Sequence, residues 1–121
     1  VVVVEDEPLV RAFVRRTLTS SGYRVFEAPD GQHALALVQA LADPVDLLIT
    51  DVVMPGLNGK ELAERLVTWN PDLRVLFMSG YAENVIVHGG VVLTGHELLQ
   101  KPFSSEVLLA GVRARLDRAN R

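Results

Sequence analysis

Carboxylate side chains that could bind a metal ion occur at two points of the chain, each directly after a run of mostly apolar residues. Glu5 and Asp6 follow four valines, and Asp51 follows the run 47–50. Runs of this kind are typical of strands in a parallel sheet that is buried on both faces. Because ligands of open α/β sheets bind at the carboxyl ends of the strands, we expect the three carboxylates to lie at one edge.

The charges at this edge indicate which chemistry it could support. Three carboxylates at close range cannot all stay ionised unless a cation compensates them, and oxygen ligands with open positions suit Mg²⁺. Lys101 adds a positive charge and Ser79 a hydroxyl, each after a further predicted strand. In this setting Asp51 could act as a nucleophile toward phosphorus, with the metal and the lysine neutralising the transferring oxygens.

The elements that must position these residues alternate regularly along the chain. Helices are expected after Pro8, after a cap at Asp30, after a capping box formed by Asn58 and Glu61, near 82–88, and after Ser104 or Ser105. Strands are predicted at 1–4, at 23–27 (at or near a sheet edge), at 45–50, at 74–78 and at 97–100. Such alternation predicts an α/β fold, a parallel sheet with helices on both faces.

Apolar residues at helical spacing predict which helix faces are buried. The inner face of the third helix is expected to consist of Leu62, Leu66 and Trp69, and that of the last helix of Leu108, Val112 and Leu116. Trp69 and Phe103 are therefore interpreted as core or anchor residues. Arg11, Arg15 and Arg16 are expected on the outer side of the first helix.

Length and composition limit the possible classes of protein. The chain has 121 residues, no cysteine and a formal net charge of −3. These values predict one domain over 1–121 in a reducing, cytoplasmic compartment, with neither nucleic acid nor membrane as a partner of this domain. No apolar run approaches the roughly 20 residues that span a bilayer. The chain does not begin with Met, and we expect it to be a segment of a longer protein.

Four short motifs occur in order, each after a predicted strand. They are Glu5-Asp6-Glu7-Pro8, Asp51-Val52-Val53-Met54-Pro55-Gly56, Met78-Ser79-Gly80-Tyr81 and Lys101-Pro102-Phe103. Together they resemble the receiver domain of response regulators in bacterial two-component signalling, and the resemblance covers essentially the whole chain. The end of the chain is most similar to receivers fused to hybrid sensor histidine kinases.

The resemblance implies a fold, a partner and a set of site residues. The fold would be flavodoxin-like, a doubly wound five-stranded parallel sheet of order 2-1-3-4-5. The partner would be a histidine kinase or a histidine phosphotransfer domain whose phosphohistidine donates the phosphoryl group, and a receiver homodimer is possible. The implied roles are Mg²⁺ ligands for Glu5, Asp6, Asp51 and the backbone carbonyl of Val53, phosphoacceptor for Asp51, switch hydroxyl for Ser79 and phosphate-binding lysine for Lys101. The family also has a cis peptide bond before Pro102.

This sequence departs from the family pattern at two positions. Glu5 stands where Asp is more frequent, and Leu98 stands where the family usually has an aromatic ring that turns inward on activation. Two alternatives stay open at this point: a degenerate receiver that acts as a docking or dimerisation scaffold, and a phosphatase of the haloacid dehalogenase type. The phosphatase would require a second Asp where Val53 stands. Arg11, Arg15 and Arg16 lie on the helix that meets the phosphodonor in the family, which gives them a possible docking role.

Overall fold

The structure, a computed structural model, describes residues 1–54, 56–79 and 98–117. This part of the chain contains five strands and four helices. They are β1 (Val2–Val4), α1 (Pro8–Ser20), β2 (Phe26–Ala28), α2 (Gly31–Ala40), β3 (Leu47–Asp51), α3 (Gly59–Trp69), β4 (Arg74–Ser79), β5 (Leu98–Gln100) and α4 (Ser105–Asp117). The helix predicted near 82–88 lies outside the described residues.

The strands form one parallel sheet in the order β2-β1-β3-β4-β5. This order confirms the fold that the resemblance implied, and the prediction that the second strand lies at an edge is also confirmed. Val4 pairs with Thr50, and Thr50 pairs with Phe77. Because these three central strands end at nearly the same level, the residues that follow them share one edge of the sheet.

The sheet is buried on both faces, as the apolar runs predicted. Alternate residues of the strands belong to two separate clusters: Val2 and Leu48 lie in one, and Val3 and Ile49 lie in the other. Buried residues of α2 and α3 cover the first face, and those of α1 and α4 cover the second. No helix in the described ranges is both long enough and apolar enough to cross a bilayer.

Side chains cap three of the helices where the sequence predicted. The Asp30 carboxylate accepts a 2.8 Å hydrogen bond from the backbone N–H of His33 at the start of α2. Asn58 and Glu61 form the expected capping box, with hydrogen bonds of 2.9 and 3.1 Å. At α4 the cap is Ser104, whose hydroxyl accepts from the backbone N–H of Val107 at 3.1 Å. These bonds satisfy N–H groups that have no partner inside a helix.

The prediction that Trp69 belongs to the inner face of α3 is wrong. Leu62 and Leu66 are buried against the sheet as expected, but Trp69 is 50% exposed. Trp69 is the last residue of the helix, and its side chain lines a surface cavity beside the loop 41–45 instead of reaching the core. Phe103 is an anchor as predicted: it is partly buried, and its ring centroid lies 6.2 Å from that of Phe13.

The start of α3 lies directly against the backbone at the end of β3. The backbone N–H of Gly59 donates a 2.9 Å hydrogen bond to the carbonyl of Val52. A Cβ atom on Gly59 would overlap the carbonyl oxygen of Asp51. A residue without a side chain is therefore needed here for the helix to pack at this distance from the strand end that carries Asp51.

We expect Gly59→Ala to lower the free energy of unfolding by about 1–3 kcal/mol, because the new methyl group must displace backbone atoms. The matched control is Gly111→Ala, also in a helix, where a Cβ would meet the movable end of the Leu99 side chain at 3.0 Å. There the higher helix propensity of alanine offsets the contact, so we expect a change within about 1 kcal/mol. Urea unfolding measures both, and equal stability of the two variants would contradict the account of Gly59.

Candidate functional site

The carboxyl edge of the sheet brings together the charged residues that the sequence singled out. Oxygen atoms of Glu5, Asp6 and Asp51, one from each side chain, all lie within 4.8 Å of one another. The Lys101 ammonium donates to Glu5 Oε1 at 2.6 Å and to Asp51 Oδ2 at 3.1 Å. The predicted convergence of three carboxylates and one lysine is present in the structure.

Glu5 is the most completely enclosed member of the cluster, with only 1% of its surface exposed. Its second carboxylate oxygen accepts a 3.1 Å hydrogen bond from the backbone N–H of Glu7, so both oxygens have partners. The backbone carbonyl of Glu5 accepts a 2.8 Å hydrogen bond from the Arg11 guanidinium. Although glutamate is longer than the aspartate that is more frequent at this position, its carboxylate still contacts Lys101 from the end of β1.

Asp6 and Asp51 differ sharply in exposure. Asp6 is exposed at the rim of the site, whereas Asp51 is buried at the end of β3. The backbone around Asp51 is fixed, since the N–H of Val52 donates to the carbonyl of Met78 at 3.0 Å. A small ligand could thus approach the cluster from the exposed side of Asp6.

Ser79 and Lys101 are linked through the backbone. Ser79 is the buried last residue of β4, and its carbonyl accepts a 2.7 Å hydrogen bond from the N–H of Lys101. The Lys101-Pro102 peptide bond is cis, as the resemblance implied. Val53 lies two residues after Asp51 with its side chain half exposed, and the metal role of its carbonyl stays a prediction.

Burial and charge shift the ionisation of these groups. Burial raises the pKa of the Glu5 carboxyl from 4.5 to about 7, helped by the negative charge of Asp51 and opposed by the hydrogen bond from Lys101. Burial likewise raises the pKa of Asp51, although Lys101 opposes this. For Lys101, burial alone would lower the pKa, but its contacts with Glu5 and Asp51 prevail and raise it. One lysine therefore does not fully compensate the negative charge of the cluster.

This incomplete compensation is the observation that fits a divalent cation. Carboxylate oxygens in one cluster are the ligands that Mg²⁺ prefers, and the exposed side of Asp6 leaves room for water and phosphate oxygens. Glu5, Asp6 and Asp51 are the residues that would hold the ion. Its charge would stabilise the ionised carboxylates that the protein alone leaves under-compensated.

One residue at the site, Arg11, was not expected there from the sequence. It was assigned to the outer side of the first helix, but its guanidinium turns inward and contacts Glu5 and Glu27. A signal was present: Glu27 pairs in register with Val3, whose side chain lies in the cluster under α1. Strand alternation could have placed Glu27 beneath α1, where a cation is needed.

Comparison with known proteins identifies the family. Residues 1–113 match the response regulator receiver domain. The sensor kinase CckA of Brucella abortus is 38% identical over 118 residues, which are 98% of this chain but 12% of the kinase. The response regulator MprA of Mycolicibacterium vanbaalenii is 36% identical over 98% of this chain and 50% of the regulator. The chain thus spans about half or less of the length of these relatives.

Solved structures agree with the sequence matches. The receiver domain of the hybrid histidine kinase CckA has a TM-score of 0.77 at 36% identity, covering 95% of this chain and 96% of that chain. The chemotaxis protein CheY4 of Vibrio cholerae has a TM-score of 0.77 at 28% identity, with the same two coverages. A receiver domain protein of Clostridium thermocellum, with a TM-score of 0.81 at 23% identity over 98% of this chain and 94% of its own, shares the fold.

The order of the strands and the two helical layers place the protein in the doubly wound, flavodoxin-like class of α/β folds. Within that class, the chain belongs to the response-regulator receiver domain family of two-component signalling. The same matches do not favour the phosphatase alternative, because the relatives and structural neighbours named above are regulators, kinases and receiver domains.

The raised pKa of Glu5 predicts how stability depends on pH in metal-free buffer. The folded protein holds this proton more tightly than the unfolded chain, so the free energy of unfolding should fall as pH rises from 4.5 to about 7. We expect a decline of about 1–3 kcal/mol, to which Asp51 also contributes. Glu5→Gln should remove most of it.

Urea unfolding at several pH values in the presence of EDTA measures this decline. Glu7→Gln is the matched control, because Glu7 is an exposed neighbour whose side chain makes no capping hydrogen bond. It should keep the wild-type decline. The same decline in Glu5→Gln as in wild type would show that Glu5 is not the group responsible.

Proposed function

We propose that this protein is a phosphoryl-accepting signalling domain in which Asp51 is the phosphoacceptor and Mg²⁺ is the cofactor. The observation that supports this most is the Lys101 ammonium, placed 3.1 Å from a buried Asp51 carboxylate oxygen. A cation beside the nucleophile can neutralise charge on the oxygens of a transferring phosphoryl group. The donor would be the phosphohistidine of a histidine kinase or of a histidine phosphotransfer domain.

The transfer requires one bond exchange. A carboxylate oxygen of Asp51 forms a bond to phosphorus while the phosphorus–nitrogen bond of the phosphohistidine breaks, and its electron pair stays on the imidazole nitrogen. Glu5 and Asp6, together with Asp51 and the Val53 carbonyl, would hold Mg²⁺, which supplies positive charge to the phosphoryl oxygens when bound. Lys101 exchanges part of its contact with the carboxylates for a phosphoryl oxygen, and the Ser79 hydroxyl bonds another.

Residues suited to phosphoryl transfer occupy each charged position of the site, which favours a working acceptor over a degenerate scaffold. A scaffold would not require an acidic cluster and a lysine to meet around one buried aspartate, yet Glu5, Asp6 and Lys101 all meet Asp51. The domain would catalyse only its own phosphorylation and dephosphorylation. A longer parent protein such as a hybrid sensor kinase, a cytoplasmic location and a receiver homodimer are further parts of the proposal, each supported only by the family.

Phosphorylation at Asp51 can be tested with acetyl phosphate as donor. In the presence of Mg²⁺, wild type should gain the mass of one phosphoryl group in intact-protein mass spectrometry. Asp51→Asn should gain none, because an amide oxygen is a poor nucleophile. EDTA should lower the wild-type yield at least tenfold, on the order of the effect of a catalytic cation.

The matched control is Asp43→Asn, which changes an aspartate whose side chain is 84% exposed, and it should behave as wild type. Equal labelling of Asp51→Asn and wild type would contradict the assignment of the acceptor. Full labelling of wild type in EDTA would leave the acceptor in place and remove Mg²⁺ from the proposal.

Leu98 stands where the family usually has the aromatic residue that responds to phosphorylation. It is partly buried, packs against the cluster that contains Phe77, and has no ring that could turn inward. We therefore propose that the response to phosphorylation is strongest at Ser79, which pairs with Gln100 one strand away. The Leu98 side chain would transmit less of this response than the aromatic side chain that other receivers have at this position.

Addition of beryllofluoride, a phosphoryl mimic, with Mg²⁺ should test this by amide NMR. The amide chemical shift of Ser79 should change roughly twice as much as that of Leu98, or more, because only Ser79 borders the bound group. Leu98→Tyr should raise the shift at position 98 toward that of Ser79. Similar shifts at both residues in wild type would show that leucine transmits the change.

A further inference from the structure

The Arg11 side chain joins three elements beside the acidic site. From the second turn of α1, its Nη1 donates to the carbonyl oxygen of Glu5 at 2.8 Å. Its Nε donates to the carboxylate of Glu27 on β2 at 3.2 Å. Only 20% of the Arg11 side chain is exposed. A long, flexible side chain is thus held at both ends of its planar guanidinium, a geometry that arginine provides and a point charge does not.

The carbonyl that Arg11 contacts lies where the strand pairing of β1 stops. The N–H of Glu5 still bonds to the carbonyl of Ala28 on β2 at 3.2 Å, one residue beyond the last paired residue, Val4. The carbonyl of Glu5 instead accepts from Arg11. Because Glu5 is buried, this contact with a charged donor fixes the plane of the peptide that follows it.

That peptide joins Glu5 to Asp6, two of the three carboxylates in the acidic cluster. The backbone dihedral angles on either side of this peptide set the direction of the two side chains relative to each other, so a net change in those angles would alter their distances to Asp51. We propose that Arg11 is a positioning residue for the acidic site, which sets the Glu5-Asp6 peptide for cation binding and is itself held by Glu27. This inference rests on the proposed Mg²⁺ site.

Arg15 provides the contrast that separates this role from a general effect of charge. It lies one helical turn further along α1 and pairs with the other oxygen of Glu27 at 2.9 Å. Its side chain is 40% exposed, twice as much as that of Arg11, and its contact is with Glu27 rather than with the Glu5 carbonyl. Loss of either arginine removes one positive charge and one ion pair, but only Arg11 reaches the acidic site.

The test is a MgCl₂ titration of the protein followed by the amide NMR shifts of Asp51 and Val52. Trp69 fluorescence is a poor probe, because Trp69 is the last residue of α3 and lies beside the loop 41–45. The other end of that helix, at Gly59, is the one that lies against Asp51. Arg11→Met should raise the dissociation constant for Mg²⁺ roughly tenfold, as is typical when a group that orients metal ligands is removed. Arg15→Met should keep the wild-type value.

Two further variants make the result independent of the folding of Arg11→Met. Arg11→Lys, whose ammonium can donate to the Glu5 carbonyl but lacks the fork that also contacts Glu27, should recover the affinity only in part. Glu27→Ala, which removes the partner of both arginines, should weaken binding about threefold, in line with an exposed ion pair. Thermal unfolding of each variant shows whether a change in affinity goes beyond a change in stability.

The possible outcomes distinguish the role of Arg11 from the proposed Mg²⁺ site itself. Weaker Mg²⁺ binding in Arg11→Met with normal binding in Arg15→Met supports the inference. Wild-type affinity in a folded Arg11→Met overturns it while the proposed function stands. If Arg11→Met does not fold, wild-type affinity in Glu27→Ala overturns the inference and weaker binding supports it. If wild type itself shows no Mg²⁺-dependent shifts, the proposed cofactor and this inference both fail.

Discussion

The contact of one lysine with two buried carboxylates is the interaction on which the rest of the site depends. Lys101 follows the last strand of the sheet, Glu5 follows β1 and Asp51 ends β3, so its two ion pairs connect three separate strand ends. In a poorly solvated pocket such contacts are strong, but leaving any of these charges without a partner is costly. Burial raises the pKa of Glu5 and of Asp51, and the contacts with the Lys101 ammonium do not offset this rise.

The fold provides the rigidity that such an arrangement needs. Burial of the sheet on both faces and the level ends of β1, β3 and β4 fix where the carboxylates emerge. Gly59 lets α3 begin against the carbonyl of Asp51, and Arg11 holds the peptide after Glu5. Packing therefore sets the strand ends, and hydrogen bonds to the backbone set the direction of the side chains. A site that binds a small cation and a phosphoryl group requires both.

Sequence reasoning succeeded where a strong local pattern has one structural solution. Short β-branched and apolar runs that alternate with helices are typical of a parallel sheet buried on both faces, and the residues after such strands share its carboxyl edge. This pattern was enough to predict from the sequence that Glu5, Asp6, Asp51 and Lys101 lie at one edge of the sheet. The caps at Asp30 and Asn58 were equally predictable, because a short polar side chain before a helix has few other roles.

Prediction from the sequence failed for two long side chains whose positions depend on residues of other elements. Trp69 fits the helical spacing of Leu62 and Leu66, but the helix ends there and the ring turns to a surface loop. Arg11 was expected to face outward, and its inward position depends on Glu27, a residue of another strand. Neither outcome can be read from periodicity within one element, because each depends on a tertiary neighbour.

The most direct test of the account is a crystal structure of the protein with Mg²⁺ and beryllofluoride. The account predicts the beryllium bonded to a carboxylate oxygen of Asp51, the metal ion held by the acidic cluster, and the Lys101 ammonium in contact with fluoride. A complex with beryllofluoride on another residue, or with Lys101 still held between Glu5 and Asp51 and away from the bound group, would contradict it.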